Sequence, residues 1–350
     1  DNPVITQWDM GRVEQCGLLK IDFLGLRNLG VIDECIKLVN KNRDILIDVD
    51  KIPLDDYKTY QELCKGNAIG VFQLESTGMR ELMVQLQPQD VQDIMALISL
   101  YRPGPMGSGM DKLYISRKHS KSSIQYDHPN LEKVLGPSLG IMLYQEDVLG
   151  VARELAGFST AEADDLRKVI GKKLMDKIAL FRGEFVKGCM EKSDISEDKA
   201  NKIYSDIEYF GGYGFNRAHA ASYAMISYIT AYLKANYTAE YMAALLSSVT
   251  GNKDKLALYL SDCRKLGIKV LSPSINKSVE EFTVIDEATI IFGLSAINGI
   301  GYAVSEAILS SRDQDNPYTS MHDFLRRTGP AVLKKSTIEH LANAGALDEL

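Results

Sequence analysis

The chain lacks most of the features that assign a protein quickly. No stretch approaches the ~18 consecutive apolar residues of a membrane-spanning helix, and no basic-then-apolar N-terminal stretch heads it as in a secretory signal. Its five cysteines (Cys16, Cys35, Cys64, Cys189 and Cys263) form no Cys-x-x-Cys pair and have no nearby histidines to complete a zinc set. They read as reduced thiols of a cytoplasmic protein. No clustered Asp/His set of the kind a metal nuclease uses is present, and there is no low-complexity tract. A net basic charge is missing too. At −7 the balance weighs against a surface that binds nucleic acid all over, but it permits local positive potential. The first residue is not methionine, which fits a fragment, and the closing Leu347-Asp348-Glu349-Leu350 lacks the basic residue of an ER-retrieval tail.

What is there suffices for two or three domains: 350 residues, 45% of them hydrophobic. Leu18 to Leu26 reads as a strand in which Ile21 and Phe23 are buried. Lys20 and Asp22 share its other face, roughly 7 Å apart. Aspartate is depleted in strands, so Asp22 is either a solvated edge charge or a functional carboxylate. Asn28 to Asn40 has helical spacing, and residues 51–56 punctuate a linker. From there the pattern is mostly helical. Residues 70–76 read as a short strand or turn feeding a helix that ends near Gln87-Pro88. Tyr101 to Gly109, with two prolines and three glycines, is expected to be a non-helical loop. Gly140 to Tyr144 reads as a short buried strand before a helix opening near Gln145. Ser159-x-x-Glu162 is a capping box. Residues 211–217 form a glycine-rich loop ahead of a long helix over 220–236, and residues 281–285 and 289–293 suggest a strand pair.

Three stretches carry chemistry. Arg167, Lys168, Lys172 and Lys173 lie about one helical turn apart around Gly171, so they can converge on a phosphate; the plain alternative is a solvated helix face. A glycine inside a helix costs ~1 kcal/mol, which makes sense where a backbone or ligand approaches closely. The second stretch, Tyr213 to Ala220, combines rings, an amide, Arg217 and His219 on flexible backbone, a set that can stack a base and hold a phosphate. The plain alternative puts Phe215 and Tyr223 in the core and Asn216 at a helix cap, and Phe215 is read that way. In the third, Ile297-Asn298-Gly299-Ile300-Gly301 precedes Ala303, Ala307, Ile308 and Arg312. A tight Gly-x-Gly turn ahead of a helix exposes backbone N–H groups suited to phosphate. This helix-hairpin-helix pattern holds a sugar-phosphate backbone without reading bases; an ordinary helix turn explains it equally.

In order, Lys20-Ile21-Asp22-Phe23-Leu24-Gly25-Leu26, Gly70 to Ser76 with Gly78-Met79-Arg80, Tyr101-Arg102-Pro103-Gly104-Pro105, Leu166 to Lys173, Tyr213 to His219 and the hairpin at Ile297 to Arg312 with a second unit over Ser336 to Leu347 resemble the alpha subunit of bacterial DNA polymerase III, the C-family replicative polymerase. Gly251 to Lys255 with Asn276-Lys277-Ser278 is most similar to the short form found in Gram-positive bacteria. The resemblance implies a mainly α fold with short β segments (α+β): the end of a palm over residues 1–29, a large helical fingers domain over 30–265, and a tandem helix-hairpin-helix module over 266–350. It implies Asp22 as the third catalytic, metal-holding carboxylate with Lys20 beside it, and a two-magnesium site whose other two carboxylates lie outside the chain. Nucleotide contacts fall to Arg167, Lys168, Lys172, Lys173, Tyr213, Arg217 and His219, and DNA contacts to Arg102, Gly299, Gly301 and Arg312. Two departures matter: Lys168 stands where the family has a second arginine, and Asn298 where it usually has lysine. Primer-template DNA and dNTPs are the implied partners. A sliding clamp and other replisome subunits would bind parts of the full-length protein not present here, and this piece is expected to be inactive alone. The competing class is a non-catalytic helix-hairpin-helix DNA-binding scaffold.

Overall fold

The computed structural model describes residues 4–120, 124–312 and 316–350. Helices dominate. They run α1 (Met10–Gln15), α2 (Arg27–Arg43), α3 (Tyr57–Cys64), α4 (Thr77–Leu86), α5 (Val91–Leu100), α6 (Pro103–Gly107), α7 (Met110–His119), α8 (Pro129–Leu135), α9 (Gln145–Ala156), α10 (Thr160–Gly171), α11 (Met175–Ser193), α12 (Glu197–Gly211), α13 (Arg217–Asn236), α14 (Thr238–Ser247) and α15 (Lys253–Lys265). A small sheet follows, made of β1 (Lys269–Leu271), β2 (Thr283–Asp286) and β3 (Thr289–Ile291). Helices α16 (Tyr302–Ser311), α17 (Met321–Thr328) and α18 (Lys335–Asn343) complete the described chain. The fold is thus mainly α with short β segments. Side-chain caps start many of these helices: Asp56, Ser76, Asp90, Ser159, Asn216, Asn252 and Ser320 each accept a first-turn N–H, and Ser159 and Glu162 close the expected capping box.

Three apolar cores form among the described residues. The first gathers α2 to α5, α7 and α13 to α15, and it extends into the sheet through Phe282 and Ile290. A second lies among α8 to α12, around Leu155, Leu166, Phe185 and Tyr204. The third holds α16 to α18 together through Ile308, Phe324 and Leu341. In the sheet, ordered β1-β3-β2, β3 runs parallel to β1 and antiparallel to β2. The strand pair follows the sequence pattern; β1, only three residues long, did not announce itself.

Buried ion pairs tie the first core across long sequence distances. Arg43 donates from Nε to Glu240 Oε1 (2.7 Å) and from Nη2 to Oε2 (3.1 Å), locking α2 to α14. Lys234 Nζ, almost fully buried, donates to Asp262 Oδ2 (2.7 Å) and to the carbonyls of Asn67 and Ile69. Burial pulls its pKa down and the Asp262 charge pushes it back up.

Four local expectations fail. Residues 18–26 are not a strand: no described residue pairs with them, and Ile21 and Phe23 are 64% and 94% exposed rather than buried. Residues 103–107 are helical. Pro103 and Pro105 fall in the first turn of α6, where the missing N–H groups have no intrahelical acceptor to serve. Residues 141–144 are buried as expected but make only a single parallel bridge, Tyr144 with Phe215. Gly171 closes α10 instead of lying within it, and nothing approaches the space a Cβ there would fill.

Candidate functional site

The site is organised around the turn between α12 and α13. Phe215 N–H donates to Leu143 O (3.1 Å) and Gln145 N–H to Phe215 O (2.9 Å), so the glycine-rich loop is stitched to the entry of α9. Gly214 belongs here because a Cβ would stand 3.2 Å from Gln145 N. Asp147 holds the other side of the stitch, accepting the N–H groups of Leu143 (2.9 Å) and Tyr144 (2.8 Å). Burial pushes its carboxyl up to about 6 against the pull of those bonds. Glu146 accepts from Arg217 N (2.9 Å) and Asn216 Nδ2 (3.3 Å), adding a negative charge at the start of α13. Asn216 caps that helix through His219 N (2.8 Å), as its sequence position suggests.

Each predicted site residue can now be placed. Arg167 Nη1 reaches Gln145 Oε1 at 3.4 Å while Nε and Nη2 hold Asp164 at 3.0 and 2.8 Å, so the basic end of α10 abuts the glycine-rich loop. Lys168 pairs with Asp164 (2.8 Å) and Asp165 (3.4 Å). Hydrogen bonds from Lys168 and then Arg167 hold the Asp164 carboxyl below its ordinary value. Lys172 and Lys173 follow the helix, exposed, with no side-chain partner among the described residues. The Tyr213 ring lies on Gly104, where a Cβ would be 2.4 Å from Cδ1. Arg217 stacks over Tyr144, its guanidinium carbon 5.5 Å from the ring centre.

Arg102 is largely committed to the scaffold. Its Nε donates to Ser99 O (2.9 Å) and its Nη2 to Tyr213 O (2.8 Å), with the guanidinium 4.6 Å from the Phe215 ring centre. Burial lowers its pKa. Beside it opens a cavity of about 500 Å³ whose lining includes Arg27, Gln73, Arg102, Phe215, His219 and Tyr223. Sequence reasoning missed the row of rings there. Phe215 and His219 are 5.4 Å apart, His219 and Tyr223 4.0 Å, and Tyr223 and Phe72 5.2 Å. Phe215 and Tyr223 do pack on the core, but each shows an edge to this cavity. The i, i+4 spacing of Phe215, His219 and Tyr223 was the available signal. Glu75 is bonded by Lys255 and by Tyr259 OH (3.1 Å), which fixes the 70–76 turn.

Asp22 and Lys20 do not line this cavity and lie side by side on exposed backbone, with Nζ to Oδ2 at 3.3 Å. No group of three His, Cys, Asp or Glu suited to a metal occurs among the described residues. One exposed, lysine-paired carboxylate does not make a magnesium site, so the donor set here does not fit two metal ions by itself. In the hairpin, Gly299 adopts φ +81°, and the N–H groups of Gly299 and Gly301 donate to no described acceptor. Arg312 turns inward instead, giving Nη1 to Ile275 O (3.0 Å) and Ser278 O (2.7 Å). No described helix is long and apolar enough to cross a membrane.

Comparison with known proteins gives a consistent answer. Residues 28–193 match the profile of the bacterial DNA polymerase III alpha subunit finger domain, and residues 267–350 match a helix-hairpin-helix motif. The chain is 45% identical to the DNA polymerase III subunit alpha of Thermus aquaticus over 98% of its length, 43% identical to that of Saccharopolyspora erythraea over 100%, and 40% identical to that of Escherichia coli over 99%. It spans only 28–30% of the length of these relatives.

Proposed function

Because the chain belongs to the bacterial DNA polymerase III alpha-subunit family, we propose that it serves as the nucleotide-binding fingers and duplex-holding module of a replicative DNA polymerase. The reaction is attack of a primer 3′-hydroxyl on the α-phosphate of a dNTP, forming a phosphodiester and releasing pyrophosphate. The observation that carries this reading is the junction at Gln145, which sets the cationic end of α10 against the aromatic, basic loop 213–219. Arg167 and Lys168, with Lys172 and Lys173, neutralise the triphosphate, since positioning and charge supply most of the catalysis in phosphoryl transfer. Tyr213, Arg217 and His219 face the same nucleotide, and Arg102 holds their loop in place while lining the cavity. Asp22 is one carboxylate of a two-magnesium centre, with Lys20 beside it. The other two carboxylates, and the strand that would cover Ile21 and Phe23, come from polypeptide outside these residues. Gly299 and Gly301 hold the duplex backbone, while Arg312 braces the hairpin from within. Clamp and replisome contacts belong to the rest of a cytoplasmic enzyme.

The test is steady-state primer extension by the full-length polymerase. Arg167→Ala should raise the dNTP KM tenfold or more, about 1.4 kcal/mol, with primer-template affinity unchanged. An unchanged KM refutes the nucleotide site. The free N–H groups of the hairpin favour the second reading, a DNA-binding scaffold; a full-length protein that binds duplex but does not extend a primer would establish it.

A further inference from the structure

A second cavity, of about 600 Å³, lies between the end of α15, the sheet, the hairpin turn and α18. Arg264, Phe292, Asn298, His340 and Asn343 reach it from those four places, and no carboxylate among the described residues lines it although the chain is acidic. Arg264, Asn298 and Asn343 are exposed and make no side-chain hydrogen bond or ion pair with any described residue. The Nδ1 of His340 has no partner either but is buried under the hairpin turn, which leaves its other ring nitrogen, likewise without a described partner, for the cavity. His340 is pressed against the turn itself: a Cβ on Gly299 would lie 2.1 Å from that Nδ1. Glycine is therefore required at 299 twice over, by its positive φ and by the imidazole of α18.

A guanidinium, an imidazole and two amides with unspent hydrogen-bonding capacity, beside an aromatic wall and without competing acid among the described residues, match one ligand class: a phosphate ester carrying a sugar or base. We propose that this cavity seats a phosphodiester of the DNA strand running past the hairpin, with Arg264 and His340 supplying the polar contacts that a hairpin with Asn298 in place of lysine lacks. The proposal rests on the duplex-holding role given above. It extends the contact from one turn to a surface built by the fingers, the hairpin and α18 together.

Fluorescence anisotropy of the 350-residue chain on a labelled duplex, between 50 and 200 mM salt, tests it. Arg264→Ala should shallow the slope of log K against log salt by about 0.9, the signature of one lost phosphate contact. His340→Gln should weaken binding less, because the amide keeps a donor and an acceptor. Lys187→Ala, on the exposed face of α11, should change neither. Thermal melting confirms that the exposed Arg264 is not needed for folding. An unchanged slope in Arg264→Ala beside a salt-dependent wild type overturns the cavity and leaves the hairpin reading intact. A wild type without salt-dependent affinity overturns both. If dAMP or inorganic phosphate protects the wild type against heat and not Arg264→Ala, while both bind DNA alike, the site takes free phosphate and the strand assignment fails.

Discussion

Residues 18–26 and residues 140–144 carry the same kind of sequence, apolar side chains with an aspartate within or just after them, and both read as strands. One is buried and stitched; the other is bare. Leu143 and Tyr144 find Phe215 across a bridge and Asp147 beneath them, whereas Ile21 and Phe23 find nothing among the described residues. Alternation thus tells which side chains share a face, but a strand also needs a partner, and the partner is not written in its own sequence. The two aspartates differ accordingly: Asp147 is nearly inaccessible and bonded to backbone, while Asp22 is open to solvent beside Lys20.

The comparison breaks first at Asp147. Replacing it with alanine strands two buried N–H groups, one of them that of the N-cap Tyr144 of α9, and should cost about 3–4 kcal/mol in urea unfolding. A loss under 1 kcal/mol would mean that the stitch is held by the Phe215 bridge alone.

Next is its pH dependence. A carboxyl raised from 3.8 to about 6 by burial binds its proton more tightly in the folded protein. Its contribution is therefore fully present below about pH 4 and is lost as the pH rises through 6, a swing of about 2–3 kcal/mol. Bonded carboxylates such as Asp56 and Glu62, with lowered pKa values, act in the opposite sense. The quantity to measure is the difference between wild type and Asp147→Asn from pH 4 to 7. Wild type should lose ground to the asparagine variant as the pH rises, and parallel profiles would refute the assignment.

Gly214→Val probes the other side of the stitch. A Cβ pressed to 3.2 Å from backbone must displace Gln145, at about 1–2 kcal/mol. Because Gln145 also meets Arg167, the same variant should raise the dNTP KM of the full-length enzyme more than alanine at Lys187 does.

How much of this could be read beforehand follows from what is local. Helix caps at Ser159 and Asn216, the helix after the glycine-rich loop and the hairpin before α16 are set within a few residues, and all were legible. The basic stretch at the end of α10 and the glycine-rich loop could be singled out from sequence, but the row of rings that Phe215, His219 and Tyr223 make with Phe72 could not. The first-turn prolines of α6 were misread because composition was weighed without position: a proline that breaks a helix at its centre begins one at its edge. The Arg167–Gln145 junction, the commitment of Arg102 to carbonyls and the cavity at Arg264 join residues distant in sequence, and no local pattern encodes them.

The smallest expected effect is the sharpest control. Asp22→Asn in this chain alone should change stability by less than about 0.5 kcal/mol, because both Asp22 and Lys20 are largely solvated and an exposed ion pair contributes little. The same substitution in the full-length polymerase should abolish extension while leaving DNA binding in place. Only the pair of results assigns the carboxylate to chemistry: a stability loss in the isolated chain would make Asp22 structural, and retained extension would remove it from the metals. The exposure of Asp22 and of its neighbours Ile21 and Phe23 is what makes that separation clean, since no described side chain packs on them.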